Sequence, residues 1–328
     1  MIITTQKLID LAGEEVRRRA AGGDLVAAYL VGSVAAGDPL LGGTADIDVV
    51  LIHRQAPSAV REFLSLSREI HLDLAHHAME RYSQPRRLRH DPWLGPAVRE
   101  ARLLHDPEHF FDWAQAGARG QFERPGAVSA RAEALLAEAR RHTQAAAHDA
   151  AWRGSYLRAL LQACNAAAVL VGAPACGRRI STILERRFVS LGDPSLFDAY
   201  RALHGAGALT AQDVAEAISV WARLAEAASD ASQPGLSPAR AAYWLGGFRA
   251  LAESGSPDAV VWPLFFTWET VLTSNGGGID PQIASAFADV LKRAALDDAQ
   301  RANRLLALEA FCDRVEELLQ AWASRQGG

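Results

Sequence analysis

The chain has 328 residues, long for one hydrophobic core, and its 49% hydrophobic and 22% charged content is that of ordinary globular protein, so two or three domains are expected. Its formal net charge of −4 gives no global attraction to a polyanion, which disfavours a nucleic-acid partner. No uninterrupted apolar run reaches the roughly eighteen residues of a membrane helix, and the start, MIITTQKLIDLAGEEVRRR, lacks the layout of a secretory signal, so a cytoplasmic protein without a membrane partner is expected.

Leu8, Leu11, Ala12, Val16 and Ala20 recur near helical spacing, which predicts an amphipathic helix from Thr5 to Arg19. The compact apolar run from Leu25 to Val31 ends in Gly-Ser and suits a buried strand. A Gly/Pro-rich stretch from Gly37 to Gly43 precedes Asp46-Ile47-Asp48-Val49-Val50-Leu51-Ile52, which starts in polar alternation and finishes apolar, as a second strand would. A short helix is expected from Pro57 to Leu66. From Glu69 to His76 the chain alternates again, with Ile70, Leu72 and Leu74 on one face of a third strand and His71, Asp73 and Ala75 on the other.

From about Ala127 the strand signals vanish and helical periodicity takes over. Helices are expected at 128–147, 152–171, 182–190, 195–203 and 211–228, then at 238–253, 260–273 and 281–323, the last broken near Leu296. Ser229 to Pro238 reads as a connection and Ser274 to Gly278 as a flexible loop. The fold class is therefore α+β: a small mixed β-sheet domain with flanking helices in residues 1–120, followed by an all-α helical-bundle region. That region divides into a helical domain at 121–232 and a C-terminal helical part at 233–328, which can serve as bundle, dimer interface or acceptor pocket.

The chemistry concentrates in the first domain. Residues i and i+2 of a strand point to one face, so Asp46 and Asp48 present two carboxylates side by side, and Asp73 on the polar face of the next strand can supply a third. Like charges so close raise one another's pKa and call for a counter-cation. Hard divalent ions such as magnesium prefer such oxygen ligands, and two ions about 3.5–4 Å apart are the common device for phosphoryl chemistry. Gly32-Ser33, closing the first strand, forms a turn whose backbone, amides and hydroxyl can approach phosphate oxygens.

Other groups carry weaker signals. Cys164, Cys176 and Cys312 show no metal-ligand spacing and read as small, mostly buried residues. His76 and His77 point to opposite faces of a strand, so they do not easily share an ion with His71 and His53. The aromatic run Tyr243, Trp244, Phe248, Trp262, Phe265, Phe266 and Trp268 reads as two helices packing together, and Trp93 is a candidate border of a cleft.

The motifs VGSVAAG (Val31 to Gly37), DIDVVL (Asp46 to Leu51) and LDL (Leu72 to Leu74) together resemble the nucleotidyltransferase superfamily typified by DNA polymerase β and the aminoglycoside nucleotidyltransferases. The resemblance runs more loosely through RLRHDPWLGPAVREARLLHDPEHFF and covers residues 1 to about 113. It implies that residues 1–120 are a nucleotidyltransferase catalytic domain in which Gly32 and Ser33 contact a nucleoside triphosphate, ATP first among them. It implies that Asp46 and Asp48 bind metal, two magnesium ions being expected, and that Asp73 binds metal or acts as general base on an acceptor hydroxyl. A basic residue from the helical domain often reaches the triphosphate in such proteins, and Arg178 or Arg179 stands at a helix start where it could do so.

The expected activity is metal-dependent transfer of a nucleoside monophosphate to a hydroxyl of a small molecule, an aminoglycoside-like antibiotic being one acceptor that would suit an acidic cleft. Nucleotidylation of a protein, and a catalytically silent nucleotide-binding or interaction module, stay open as alternatives. A homodimer that completes the site also stays open.

Overall fold

The computed structural model describes residues 3–227, 238–274 and 279–327. Residues 228–237, where the sequence suggests a connection, and residues 275–278 of the expected loop lie outside the described residues. The chain forms two compact units, Met1–Phe122 with Ser237–Gly246, and Glu123–Leu236 with Gly247–Gly328.

The first unit begins with helix α1 (Thr5–Ala20), whose Thr4 side chain caps the Lys7 amide and whose last turn carries Arg17, Arg18 and Arg19. Strand β1 (Leu25–Val31) leads into the short helix α2 (Gly32–Ala35). Then come β2 (Ala45–His53), β3 (Arg61–Ser65) and β4 (Ile70–Ala78), followed by α3 (Pro85–Leu88), α4 (Leu94–Glu100), β5 (Arg102–His105) and α5 (Phe110–Arg119).

The strands make one mixed sheet in the order β3-β4-β2-β1-β5. β2 and β4 run parallel, whereas β1 lies antiparallel to β2 and to β5, and β3 lies antiparallel to β4. Alternation along the strands sends Ile47, Val49, Leu51, Leu72 and Leu74 to one face, where Leu8, Ile9, Ala12 and Val16 of α1 cover them. Tyr29, Val50 and Ile52 point to the opposite face and meet Leu88, Val98 and Phe111 of α3, α4 and α5. Burying each such aliphatic side chain contributes about 1.5–3 kcal/mol.

The expected helix at Pro57 to Leu66 is not formed. Residues 61–65 are the edge strand β3, paired from Arg61↔Ala75 to Ser65↔His71. Its turn back to β4 is tight: the Ser67 hydroxyl accepts hydrogen bonds from the amides of Glu69 and Ile70, and the Ile70 carbonyl accepts from Leu66 and Ser67. Helix-favouring Arg, Glu and Leu lose here to tertiary pairing, which satisfies one side of the strand's backbone groups and packs Leu64 against the α1-covered core.

The second unit is helical among its described residues: α6 (Pro125–His148), α7 (Trp152–Ala168), α8 (Ile180–Leu191), α9 (Ser195–Leu203), α10 (Ala211–Ala227), then α11 (Pro238–Glu253), α12 (Val261–Ser274), α13 (Pro281–Arg293) and α14 (Arg301–Arg325). Only the part of α11 after Gly246 belongs to this unit. The break expected near Leu296 falls between α13 and α14, where Ala295 adopts a left-handed φ of 53° and the Leu296 amide donates to Leu291 O at 2.8 Å. Aromatic side chains form the core as their spacing suggests. Phe248 meets Trp221 edge-on at 5.2 Å, Trp268 stacks on Phe287 at 3.6 Å, and the Trp221 indole donates to Thr267. Tyr243 and Trp244 depart from that set and lie in the first unit, Tyr243 beside His71. No described helix is long and apolar enough to cross a membrane.

Candidate active site

The face of the sheet that carries Tyr29, Val50 and Ile52 turns acidic toward the start of β2. Register makes this happen: Asp48 lies opposite Asp73 on the parallel neighbour β4, and Asp46 lies opposite His71. Like charges directly opposite across strands are destabilising, so the pairing needs compensation. Asp46 and Asp73 are buried and Asp48 is half-buried, yet ligand oxygens of all three lie within 4.8 Å of one another. Among the described residues, these three form the one group of His, Cys, Asp or Glu side chains able to hold a metal ion. Burial, then the charges of Asp46 and Asp73, push the Asp48 carboxyl well above the usual carboxylate range.

The donor set suits a hard divalent cation: three carboxylates converge, and buried Asp46 Oδ1 makes no hydrogen bond among the described residues, having His71 as its ion-pair neighbour. His71 Nε2 stands 3.0 Å from that oxygen, and Tyr243 packs edge-on against the His71 ring at 5.1 Å.

Gly32 joins the group from β1. It holds a left-handed φ of +70°, and a Cβ there would fall 2.2 Å from Asp48 Oδ2, so glycine lets the turn lie against the carboxylates without strain and without moving Asp48. Ser33 follows, half-buried in α2, and its carbonyl accepts from the Asp38 amide at 3.0 Å. Gly42, in the next loop, makes a second close approach; its Cβ would meet Gly246 O of α11 at 2.0 Å. Thr44 of that loop donates to Tyr243 O at 3.4 Å. These contacts bring the first turns of α11 to the acidic end of the sheet.

Two arginines complete the cluster, and neither was singled out in the sequence. Arg61 of β3 grips Asp73 in a bidentate pair, Nε to Oδ1 at 2.5 Å and Nη2 to Oδ2 at 2.6 Å. Arg240 of α11 adds Nη1 to Oδ2 at 3.1 Å, with its guanidinium 4.1 Å from the Phe63 ring centroid. Arg61 was legible in principle, because Arg61, Phe63 and Ser65 alternate with Glu62 and Leu64. Arg240 has no local signal; it lies 167 residues from its partner.

Of the other candidates, Arg178 and Arg179 belong to the second unit. Arg178 is buried against Gly247, where a Cβ would meet its Cδ at 2.4 Å, and Arg179 is half-buried at the start of α8. His76 points to the α1-covered face, its Nδ1 2.9 Å from His53 Nε2, while His77 turns to Tyr82 on the other face. Cys164 and Cys312 are buried, and Cys176 is exposed. Trp93 is half-buried before α4, its amide held by the Asp91 carboxylate.

No protein-family model matches the chain, and no curated protein matches it. A solved structure of a nucleotidyltransferase-like protein from Exiguobacterium sibiricum is similar at 13% identity, over 92% of this chain and 88% of that one, with a TM-score of 0.29. At that TM-score the likeness carries no weight for fold or activity.

Proposed function

We propose that the chain transfers a nucleoside monophosphate from a nucleoside triphosphate, ATP first among the candidates, to a hydroxyl of a small molecule and releases pyrophosphate. One observation carries the reading: Asp46, Asp48 and Asp73 converge within 4.8 Å beside a glycine turn where a side chain would be strained and would press on Asp48. Two carboxylates directly opposite each other across strands repel, and a bound divalent cation would offset that repulsion beyond what Arg61, Arg240 and His71 supply from the flanks.

In this reading Asp46, Asp48 and Asp73 hold two divalent cations, magnesium by the hardness of the donors. When bound, the cations supply charge neutralisation on the phosphates and a lowered pKa for the attacking hydroxyl. The turn at Gly32 and Ser33 holds the β- and γ-phosphates. The acceptor oxygen attacks the α-phosphorus, the bond from that phosphorus to the bridging oxygen breaks, and pyrophosphate leaves in line. Asp73 takes the proton of the acceptor hydroxyl or shares in holding the cations.

The test incubates the protein with magnesium and each labelled nucleoside triphosphate, with and without hydroxylated small molecules, and follows pyrophosphate. Acceptor-dependent release that disappears in Asp46→Asn and Asp48→Asn supports the reading. Label on the protein itself identifies protein nucleotidylation instead, and nucleotide binding without release identifies a silent module.

A further inference from the structure

Across the sheet, one row runs from the Gly32 turn through Asp48 and Asp73 to Phe63, because Val31 pairs with Asp48, Asp48 with Asp73, and Asp73 with Phe63. On the reading above, the leaving phosphates sit at the Gly32 end. An in-line displacement puts the incoming oxygen on the side opposite the leaving one. The acceptor therefore approaches over Asp73 and the β3 flank. That flank is not acidic at its rim: it carries the Arg61 and Arg240 guanidinia, set about the ring of Phe63.

Both arginines now use Asp73 as their counter-ion, taking both of its oxygens. The same carboxylate cannot serve cations at the Asp46–Asp48 pair and keep both guanidinia at full strength. A divalent ion beside it also repels them. Arg240 has in addition a buried Nε without a hydrogen-bond partner among the described residues, whereas the Arg61 side chain is 54% exposed and open to a ligand. A planar guanidinium released from one carboxylate is suited to another carboxylate or to a phosphate.

We propose that Arg61 and Arg240 are specificity residues that receive an anionic acceptor, a hydroxyl compound bearing a carboxylate or phosphate group. This inference rests on the nucleotidyl-transfer reading. The guanidinia exchange Asp73 for the acceptor's anion as the cations and nucleotide fill the site, which couples acceptor binding to a loaded active site. A polycationic acceptor such as an aminoglycoside is disfavoured at the same flank.

The experiment loads the full chain with magnesium and the α,β-methylene analogue of each nucleoside triphosphate, then titrates four probes by calorimetry: glycerol 3-phosphate, glycerate, glycerol and kanamycin. Failure of every analogue to bind shows, before any probe is added, that the transferase reading is wrong, and the inference falls with it. With analogue bound, at least one anionic probe is expected to bind about tenfold more tightly than glycerol or kanamycin, as one charged hydrogen bond allows. The stronger of the two anions identifies carboxylate or phosphate as the recognised group.

Arg61→Gln and Arg240→Gln are each expected to remove most of that preference in protein that still binds the analogue. Arg61→Lys, which keeps the charge, should restore part of it. If Arg240→Gln does not fold, Arg61→Gln at the half-exposed position carries the comparison. The inference is overturned if no anion binds the loaded protein, or if glycerol or kanamycin binds as tightly as the anions. It is equally overturned if the glutamine variants keep the anion preference, or if they lose the nucleotide analogue instead.

Discussion

A single methyl group is the sharpest probe of how the site is put together. Gly32→Ala would force a side chain into a left-handed backbone, at a cost of about 1–2 kcal/mol, and drive its Cβ onto Asp48 Oδ2. The variant is expected to unfold at lower denaturant and to bind manganese about tenfold more weakly in a paramagnetic titration. Unchanged metal affinity would show that the turn and the carboxylates act separately. At this scale much was legible in the sequence: Asp46 and Asp48 share a face because they are two apart in a strand, and the alternation from Ile70 to Ala75 put Asp73 on the polar side. What the spacing could not supply is the register, which sets Asp48 opposite Asp73 and makes the acids one cluster. Nor could it supply Arg240, whose contact with Asp73 exists only after the chain has folded.

The five-stranded sheet owes its order to elements with unequal local signals. β1, β2 and β4 are apolar or alternating and bounded by glycine or polar turns, so their sequence and their fold agree. β3 is different, because its residues favour a helix in isolation and become a strand by pairing with one edge of β4. Strand character at residues 61–65 is checkable in solution: their Cα and carbonyl chemical shifts should carry the extended sign, with amide exchange slowed where the ladder bonds form. Helical shifts there would remove Arg61 from Asp73 and dismantle the acceptor flank. The helices of the second unit were more legible, since their periodicity runs for many turns and proline or aspartate marks several starts, as at Pro125 and Asp280.

For the molecule as a whole, pH couples to stability through a group far from the acids in sequence. His204 is fully buried, with Nδ1 donating to Tyr200 O at 2.7 Å, and burial pulls its pKa down to about 3. An unfolded histidine titrates near 6.5, so below that pH the unfolded chain binds a proton the folded chain refuses, and stability falls as pH falls toward 3. From pH 7.5 to pH 5 the loss from this residue is about 2 kcal/mol. Urea unfolding followed by tryptophan fluorescence should show a weaker pH dependence in His204→Gln than in the parent, and equal dependence would refute the assignment. The two compact units do not follow chain order, because α11 contributes its first residues to the sheet unit and the rest to the helical one, a division that no local sequence signal marks. The claim on which the functional account turns is that the three aspartates hold divalent ions, and electron paramagnetic resonance of manganese measures it without any choice of acceptor. With nucleoside triphosphate present, the parent chain is expected to bind manganese at a site lost in Asp46→Asn, in Asp48→Asn and in Asp73→Asn, each variant still folded by circular dichroism. Manganese binding that persists undiminished in all three variants would contradict the account.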